Sequence, residues 1–231
     1  MTLDVMIVLD RSGSMREARA DHEGGIRSFI QDQRELTEDD VRLTLIQFDT
    51  NNPFEIVHDR VPINEIDLEK IVLIPRSGTP LLDAVGKSFA WVEEHLKDSN
   101  VVVMVVTDGE ENSSKEWTLD GVRKAVTDAE KRNVSSLFLG ANIDGFSAGM
   151  NLGFSAEQSV TFANNTAGVS GTYSTVSSKM ATVRNVMRSS GVSFAEASVN
   201  NMSYTAHDRA ASMGEVFTTT GGTQDKYTTT P

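Results

Sequence analysis

Cysteine is absent from the 231 residues, and this absence removes three kinds of chemistry. No disulfide, thiol nucleophile or cysteine-ligated zinc site can form. Apolar residues make up 39% of the chain, but no run of them approaches the length needed to span a bilayer. The first strand pattern begins almost at residue 1, so we expect no secretory signal. These features favour a reducing compartment, and we predict a cytoplasmic location with a bacterial or viral origin.

Positive charge is scarce. Lys and Arg number 21 against 33 Asp and Glu, which gives a net charge of −12. Most of the acidic side chains lie in residues 1–140, and their simplest interpretation is that they keep helix faces solvated. A surface this acidic repels nucleic acid phosphates and anionic lipids. We therefore expect neither a nucleic acid nor a membrane as a partner.

Two kinds of apolar pattern alternate along the chain. Short runs rich in β-branched residues predict buried strands, and apolar residues at three-to-four spacing predict helices. The predicted strands are residues 3–9, 41–48, 54–57, 101–106, 134–139 and 159–162. The predicted helices are residues 15–33, a short one at 63–68, 80–92 with Pro80 as the first residue, 116–132, 146–152 and 167–188. The second and third strands are joined by Asn-Asn-Pro and are expected to form an antiparallel hairpin. Trp91 and Trp117 fall on helix patterns and are expected to be packing residues.

Strands that alternate with helices predict an α/β domain. The expected architecture is Rossmann-like, a doubly wound, mostly parallel sheet with one antiparallel edge strand and helices on both faces. We assign residues 1–190 to this domain. Residues 191–231 are rich in Ser, Thr, Asn and Gly and are predicted to form a C-terminal arm, which lies on the domain or on a neighbour. Residues 218–231 have low complexity and are expected to be disordered.

Polar residues stand at the ends of two predicted strands and before one helix. Asp10 and Asp108 end the first and fourth strands, and Thr79 precedes a helix. Ligands bind at the carboxyl ends of strands in doubly wound sheets, so these three loops are expected to share a site. The alternation from Asp10 to Ser12 and Ser14 lets one carboxylate and two hydroxyls face one centre. We therefore predict a metal site at Asp10, Ser12, Ser14, Thr79 and Asp108.

Every donor in this set is an oxygen atom, and oxygen ligands select hard cations. Hydroxyls with few carboxylates suit Mg²⁺, which keeps several waters; Mn²⁺ and Ca²⁺ are the alternatives, although Ca²⁺ prefers a larger cage with bidentate acids. If some carboxylates act through water, the ion retains excess charge and an open position. An Asp or Glu from a protein partner could complete its coordination shell. We therefore predict a cation that docks a protein partner.

These motifs resemble those of the von Willebrand factor type A family, and the similarity extends over about residues 3–188. Residues 8–15 read VLDRSGSM and match the start of the family's metal-ion-dependent adhesion site. Residues 77–85, SGTPLLDAV, are similar to the family's threonine loop, and residues 106–110, VTDGE, to its third loop. A lone Asp-x-Ser-x-Ser is a weak signal, since these are common turn residues. Three elements in order, each at its strand or helix end, are far more specific.

The resemblance implies roles for single residues. It implies that Ser12, Ser14 and Thr79 coordinate the metal directly or by exchange with water, and that Asp10 and Asp108 act largely through waters. It further implies an adaptor or scaffold module that binds a protein and is not an enzyme. The family's threonine loop and last helix can couple metal coordination to domain shape. A rigid site is the simpler interpretation here, and the oligomeric state is left open.

The alternative function is that of a Mg²⁺-dependent phosphohydrolase of the haloacid dehalogenase type, in which a strand also ends in a nucleophilic Asp. That chemistry requires a second Asp two residues on and a lysine beside the nucleophile. Position 12 is Ser, and Lys87 lies inside a helix pattern. No P-loop motif or nucleophile elbow is present. The four histidines are scattered, and we interpret them as surface residues or as satisfied polar contacts.

Overall fold

The computed structural model describes residues 2–36, 39–141 and 143–215. Six strands form one sheet, in the spatial order β3-β2-β1-β4-β5-β6. The strands are β1 Thr2–Asp10, β2 Asp40–Asp49, β3 Asn52–Pro62, β4 Asn100–Thr107, β5 Val134–Ala141 and β6 Ser159–Phe162. The helices are α1 Arg19–Glu35, α2 Leu81–His95, α3 Leu119–Glu130, α4 Gly145–Asn151, α5 Thr166–Ser190, α6 Phe194–Asn201 and α7 Ala206–Ser212.

The sheet is parallel except for the edge pair of β2 and β3. β1 lies in the centre, where Val5 pairs with Leu43 of β2 on one side and with Val102 of β4 on the other. The predicted fold class is therefore confirmed. Because the chain runs from β1 to β2 in one direction and later to β4 in the other, the strand order reverses between β1 and β4. A crevice at this point of a doubly wound sheet is the usual place for a ligand.

Apolar residues of the central strands alternate between two core layers. Val5 and Ile7 face the layer under α1 and α5, whereas Met6 and Val8 face the layer under α2 and α3. All four are essentially inaccessible to solvent. The two layers hold β1 rigidly, so the loop after Asp10 starts from a fixed point.

Trp91 lies in α2 as predicted, whereas Trp117 lies just before α3, which begins at Leu119 rather than at residue 116. Trp117 packs on Gly86 of α2, where an added Cβ would lie 2.1 Å from the indole ring. Both Trp91 and Trp117 pack against the core layer under α2 and α3. Trp91 also stacks on His95, with ring centroids 4.5 Å apart. The predicted packing role is consistent with these contacts.

Several predicted helix boundaries differ from the structure near the site. A 3-10 turn, Gly13–Arg16, precedes α1, which begins only at Arg19. Ser12, the residue that precedes this turn, keeps an extended backbone. Pro80 is the cap that precedes α2 and not its first residue. The region predicted as one short helix at residues 63–68 forms two 3-10 turns, Ile63–Glu65 and Leu68–Lys70.

The described part of the C-terminal arm lies on the domain itself. Phe194, Met202 and Tyr204 are buried in the core layer under α1 and α5. Lys179 of α5 forms a 2.7 Å ion pair with Asp208 of α7. Residues 216–231, which include the segment predicted to be disordered, lie outside the described residues. Within the described part of the chain, no helix is both long and apolar enough to cross a membrane.

Candidate metal centre

The candidate centre begins where β1 ends. Asp10 is the last residue of β1 and is fully buried. Its Oδ1 accepts a 2.6 Å hydrogen bond from the backbone N–H of Ser12, which turns the chain sharply out of the strand. The backbone N–H of Met15 then donates to the carbonyl of Ser12 at 3.2 Å and closes the next turn. The local bonds therefore hold Ser12 and Ser14 at the carboxyl edge of the sheet.

A chain of short hydrogen bonds joins this loop to the end of β4. The hydroxyls of Ser12 and Ser14 are 2.9 Å apart. Ser14 donates to Oδ1 of Asp108 at 2.6 Å. On the buried side, the hydroxyl of Thr107 donates to Oδ2 of Asp10 at 2.6 Å. Four of the five predicted residues therefore belong to one polar cluster between β1 and β4.

The fifth residue, Thr79, reaches the same cluster from the loop before α2. It is buried, and its backbone N–H donates to the side-chain oxygen of Asn112 at 2.8 Å. A Cβ placed on Gly109 would lie 3.0 Å from the Thr79 hydroxyl and 3.8 Å from the Ser14 hydroxyl. Both hydroxyls thus approach one point beside Gly109, and a side chain at that position would crowd them.

The two carboxylates lie in an environment that penalises their charge. Burial raises the pKa of Asp10 to about 6, although hydrogen bonds from Thr107 and Ser12 act in the opposite direction. Burial also raises the pKa of Asp108, against the hydrogen bond from Ser14. Within the described residues, neither carboxylate forms an ion pair. A bound cation would favour the charged form of both, since an opposite charge nearby lowers the pKa of an acid.

The donor set fits a hydrated hard cation better than a densely coordinated one. No group of three or more His, Cys, Asp or Glu in the described part of the chain is arranged to hold a metal. The cluster instead offers two carboxylates and three hydroxyls, so waters would have to fill the rest of a coordination shell. Mg²⁺ keeps several waters in protein sites, and the residues present therefore fit it.

A sequence profile of the von Willebrand factor type A domain matches residues 4–170. The matched segment runs from β1 into α5 and includes all five residues of the candidate centre. The chain belongs to the von Willebrand factor type A family. The family indicated by the sequence motifs is thus confirmed. No curated protein sequence matches the chain.

Solved structures share this type A fold at low sequence identity. Proximal thread matrix protein 1 from the mussel byssus is 16% identical with a TM-score of 0.58, and the match covers 76% of this chain and 45% of that one. A von Willebrand factor type A protein from Catenulispora acidiphila is 13% identical (TM-score 0.55; 76% and 42% covered). The pilus adhesin SpaC from Lactobacillus rhamnosus GG is 12% identical (TM-score 0.64; 78% and 30% covered). The chain spans less than half the length of these three structures.

Arg11 holds the loop after β1 in this type A domain, and it is not among the residues predicted from the sequence. Its side chain is buried and donates to Asp49 at 2.7 Å and to Glu55 at 2.6 Å. Arg76 donates to the same Asp49 oxygen at 2.8 Å. The backbone N–H of Arg76 donates to the carbonyl of Arg11 at 2.9 Å. This network ties the loop after β1, the β2–β3 hairpin and the loop before α2 together. Two features of the sequence could have indicated this contact: the arginine inside the Asp-x-Ser-x-Ser motif and the acidic residue at the end of the second predicted strand.

The loop after β4 is fixed to the start of α2 in a similar way. Glu111 accepts the backbone N–H of Leu82 at 2.8 Å. Asp83 accepts backbone N–H groups of Lys115, Glu116 and Trp117 at 2.7–2.8 Å. Glu111 thus satisfies a free N–H group at the start of α2, and Asp83 in the first turn of that helix complements the helix dipole. The polar run after Gly109 gave the only sequence signal for this contact.

A series of polar contacts leads from Asp108 towards α5. The side-chain amide of Asn164 donates to Oδ2 of Asp108 at 3.3 Å. Its carbonyl oxygen lies 3.3 Å from Nε2 of His22, whose other ring nitrogen is 3.5 Å from the Tyr173 hydroxyl. Burial lowers the pKa of His22 to about 4, against the contact with Asn164, which raises it. His22 is thus a satisfied polar contact in the interior, one of the two interpretations drawn from the sequence.

Proposed function

We propose that this domain binds one divalent cation, Mg²⁺, through Ser12, Ser14 and Thr79, with Asp10 and Asp108 acting through waters. An Asp or Glu of a protein partner completes the coordination, and the domain serves as a metal-dependent adaptor or scaffold. The observation that carries this proposal is the hydrogen-bonded cluster of oxygens at the point where the strand order reverses. The cation supplies a positive charge that a partner carboxylate can bind directly.

The choice of cation rests on the donors. Oxygen-only ligands with two carboxylates suit Mg²⁺, with Mn²⁺ as the nearest substitute. One structure of proximal thread matrix protein 1 contains a metal-ion-dependent adhesion site occupied by zinc. That protein shares the fold of this chain, which supports a divalent cation in general. Mg²⁺ is therefore argued from the donor chemistry and from its fit to a water-rich shell.

Binding of a protein is favoured over phosphohydrolysis by the surroundings of Asp10. Asp10 is fully buried and accepts hydrogen bonds from the N–H of Ser12 and the hydroxyl of Thr107, and the residue two positions on is Ser12 rather than the general-acid Asp that phosphohydrolysis requires. Lys87, the lysine weighed for that chemistry, pairs with Glu116 at 2.7 Å. The structural neighbours include a pilus adhesin and a minor pilin, which supports a role in protein contacts. The cytoplasmic location stays a prediction.

Calorimetric titration with Mg²⁺ and with Mn²⁺ tests the cation. We expect one saturable site in the wild type and none in Ser12→Ala/Ser14→Ala, because both hydroxyls are lost while the strand and helix contacts remain. Circular dichroism should show an unchanged fold. Ser28→Ala/Ser170→Ala removes two exposed helix serines and serves as the matched control. Equal binding by the two double variants would place the metal elsewhere.

The partner is tested by affinity capture with and without EDTA. We expect wild-type protein to retain a partner only when Mg²⁺ is present, and Asp10→Ala to retain none. A captured protein that is unaffected by EDTA and by Asp10→Ala would exclude metal-dependent docking.

A further inference from the structure

An open apolar trough of about 440 Å³ lies beside the candidate metal centre. We call it the lateral trough. Five aliphatic side chains line it, Leu81, Leu82, Leu119, Ile143 and Leu152. They come from the starts of α2 and α3, from the loop between β5 and α4, and from the residue that follows α4.

The lateral trough extends to the metal centre itself. Gly109 belongs to its lining and directly follows Asp108. The β position of Gly109 is only 3.0 Å from the Thr79 hydroxyl. The candidate centre and the lateral trough therefore adjoin at Gly109, and one bound segment can contact both.

Leu119 leaves part of the apolar lining of the lateral trough open to solvent. It is the first residue of α3, and 37% of its surface is exposed although it borders the cluster of leucines. A contiguous apolar surface that is rimmed by polar groups marks an interaction site more often than a scattered exposed leucine does. Because this surface adjoins the candidate metal centre, a partner bound at the centre would also contact it.

The charge of the rim is one-sided. The charged residues that line the lateral trough are Glu110, Glu111 and Asp144, and no Lys or Arg lines it. The Glu111 carboxylate accepts hydrogen bonds from the backbone N–H groups of Leu82 and Ser114. Asp144 caps α4 by accepting the backbone N–H of Ser147. Glu110 is exposed and forms no hydrogen bond or ion pair with any described residue. The rim thus offers a free carboxylate next to the apolar surface.

We infer that the lateral trough reads the sequence around the partner's acidic residue. This inference rests on the proposed function. The occupant is a protein segment in which the metal-bound Asp or Glu lies within one or two residues of a bulky aliphatic side chain, with a Lys or Arg beyond it. The aliphatic side chain fills the trough, and the basic one pairs with Glu110. The metal thus supplies the anchor, and the trough and rim supply the specificity.

A displayed peptide library tests this recognition. The library has a fixed central Asp with four random residues on each side, is selected on the full chain in Mg²⁺, and is eluted with EDTA. We expect the eluted peptides to be enriched in Leu, Ile or Met next to the Asp and in Lys or Arg farther out. A synthetic peptide of the enriched sequence should then bind Leu119→Ser roughly tenfold or more weakly, because a buried aliphatic contact is lost.

Two matched controls separate the trough from general surface effects. Val199→Ser removes an exposed aliphatic residue of α6, which lines a different cleft beside the first residues of β5. Glu110→Gln should weaken only peptides with the basic residue, whereas Glu69→Gln, at another exposed glutamate, should not. All four variants should bind Mg²⁺ as the wild type does, because none alters a proposed ligand.

The outcomes are distinguishable. Peptides that require Mg²⁺ and Asp but show no aliphatic or basic preference overturn the role of the lateral trough and leave the metal-dependent docking intact. A selection that yields no EDTA-eluted peptide overturns the proposed function, and this inference with it. Equal loss of affinity in Leu119→Ser and Val199→Ser also overturns it.

Discussion

Asp10 and His22 are both buried, and burial moves the pKa of each towards its neutral form. The effects on stability are opposite in direction. For Asp10 the native state holds its proton more tightly than the unfolded chain, so the native state gains stability as the pH falls through about 6. For His22 the native state resists the proton, so stability is lost as the pH falls. A variant of one residue can therefore isolate its contribution.

His22→Gln isolates the histidine. The unfolded residue takes up a proton near pH 6.5 and the native one near pH 4. Between these values the unfolded chain binds more protons, so the free energy of unfolding falls as acid is added, by about 3 kcal/mol in total. We expect the wild type to lose about that much more stability than His22→Gln between pH 7.5 and pH 4. Urea unfolding in EDTA at several pH values measures it. Parallel curves for the two proteins would contradict the buried, neutral His22.

At the residue scale, the sequence could predict the residues of the cluster but not those that hold it. Asp10 and Asp108 follow strands that are visible as apolar runs, so the topology rule brings them together. Asn164 and His22 meet only in three dimensions, although 142 positions separate them in the chain. No local pattern distinguishes a histidine that faces the interior of a helix pair from one on the surface.

At the scale of elements, the buried side chain of Arg11 ties the loop after β1 to the β2–β3 hairpin. Its guanidinium reaches Asp49 and Glu55 at the same time, which a planar fork with several donors can do. A lysine ammonium is a compact charge on a flexible chain and lacks the planar fork that holds both contacts in fixed geometry. Since the loop before α2 shares Asp49 through Arg76, a loss at Arg11 affects two of the three loops that form the centre.

Arg11→Lys tests this coupling. We expect the fold to survive, the free energy of unfolding to fall by roughly 1–3 kcal/mol because buried polar groups lose their donors, and the Mg²⁺ affinity to fall roughly tenfold. Calorimetry and urea unfolding measure the two effects. Arg19→Lys, at an exposed residue that faces Glu23 at 3.8 Å, is the control and should change neither. Lower stability with unchanged metal affinity would limit Arg11 to a structural role.

Element order and sheet direction could be predicted because apolar periodicity is local. The boundaries near the site could not, because tertiary contacts set them. The 3-10 turn after Ser12 forms where the loop bonds to the neighbouring loop, with the N–H of Gly13 donating to the carbonyl of Ser77 at 2.9 Å. Ser77 has a positive φ of 52°, which costs a non-glycine residue energy and needs such support. Helix propensity alone therefore predicts that the first helix begins at residue 15, whereas α1 begins at Arg19.

At the scale of the whole molecule, the described part of the arm contributes to the core. Phe194 is 2% exposed and lies in the same apolar cluster as Tyr173 and Met180 of α5. Residues 191–215 therefore complete a layer that the matched type A segment, residues 4–170, does not cover by itself. Ser, Thr and Asn dominate the arm's composition, so the sequence predicted docking from only a few apolar positions.

Phe194→Ala measures how much the arm stabilises the domain. Removing a buried phenylalanine typically costs about 3–5 kcal/mol, through lost burial and the cavity left behind. We expect a loss in that range in urea unfolding, and a comparable or larger loss on truncation after Ser190. Val199→Ala, at a residue 69% exposed on the same helix, should change stability little. If truncation left stability, solubility and mass in solution unchanged, the arm would be dispensable.

The last prediction concerns communication between the centre and α5. Asn164 links Asp108 to His22 and immediately precedes Asn165, the residue that caps α5. A change at Asp108 on docking can thus reach the helix through a single side chain, and a shift between two states requires only a few kcal/mol of differential binding. We expect hydrogen exchange in the first turns of α5 to change when Mg²⁺ and the EDTA-sensitive partner bind, and Asn164→Ala to remove the change without abolishing metal binding. Ser170→Ala, on an exposed face of the same helix, should behave as the wild type. Unchanged exchange in the wild type, despite metal-dependent binding, would identify a rigid adaptor, the simpler alternative that the sequence left open.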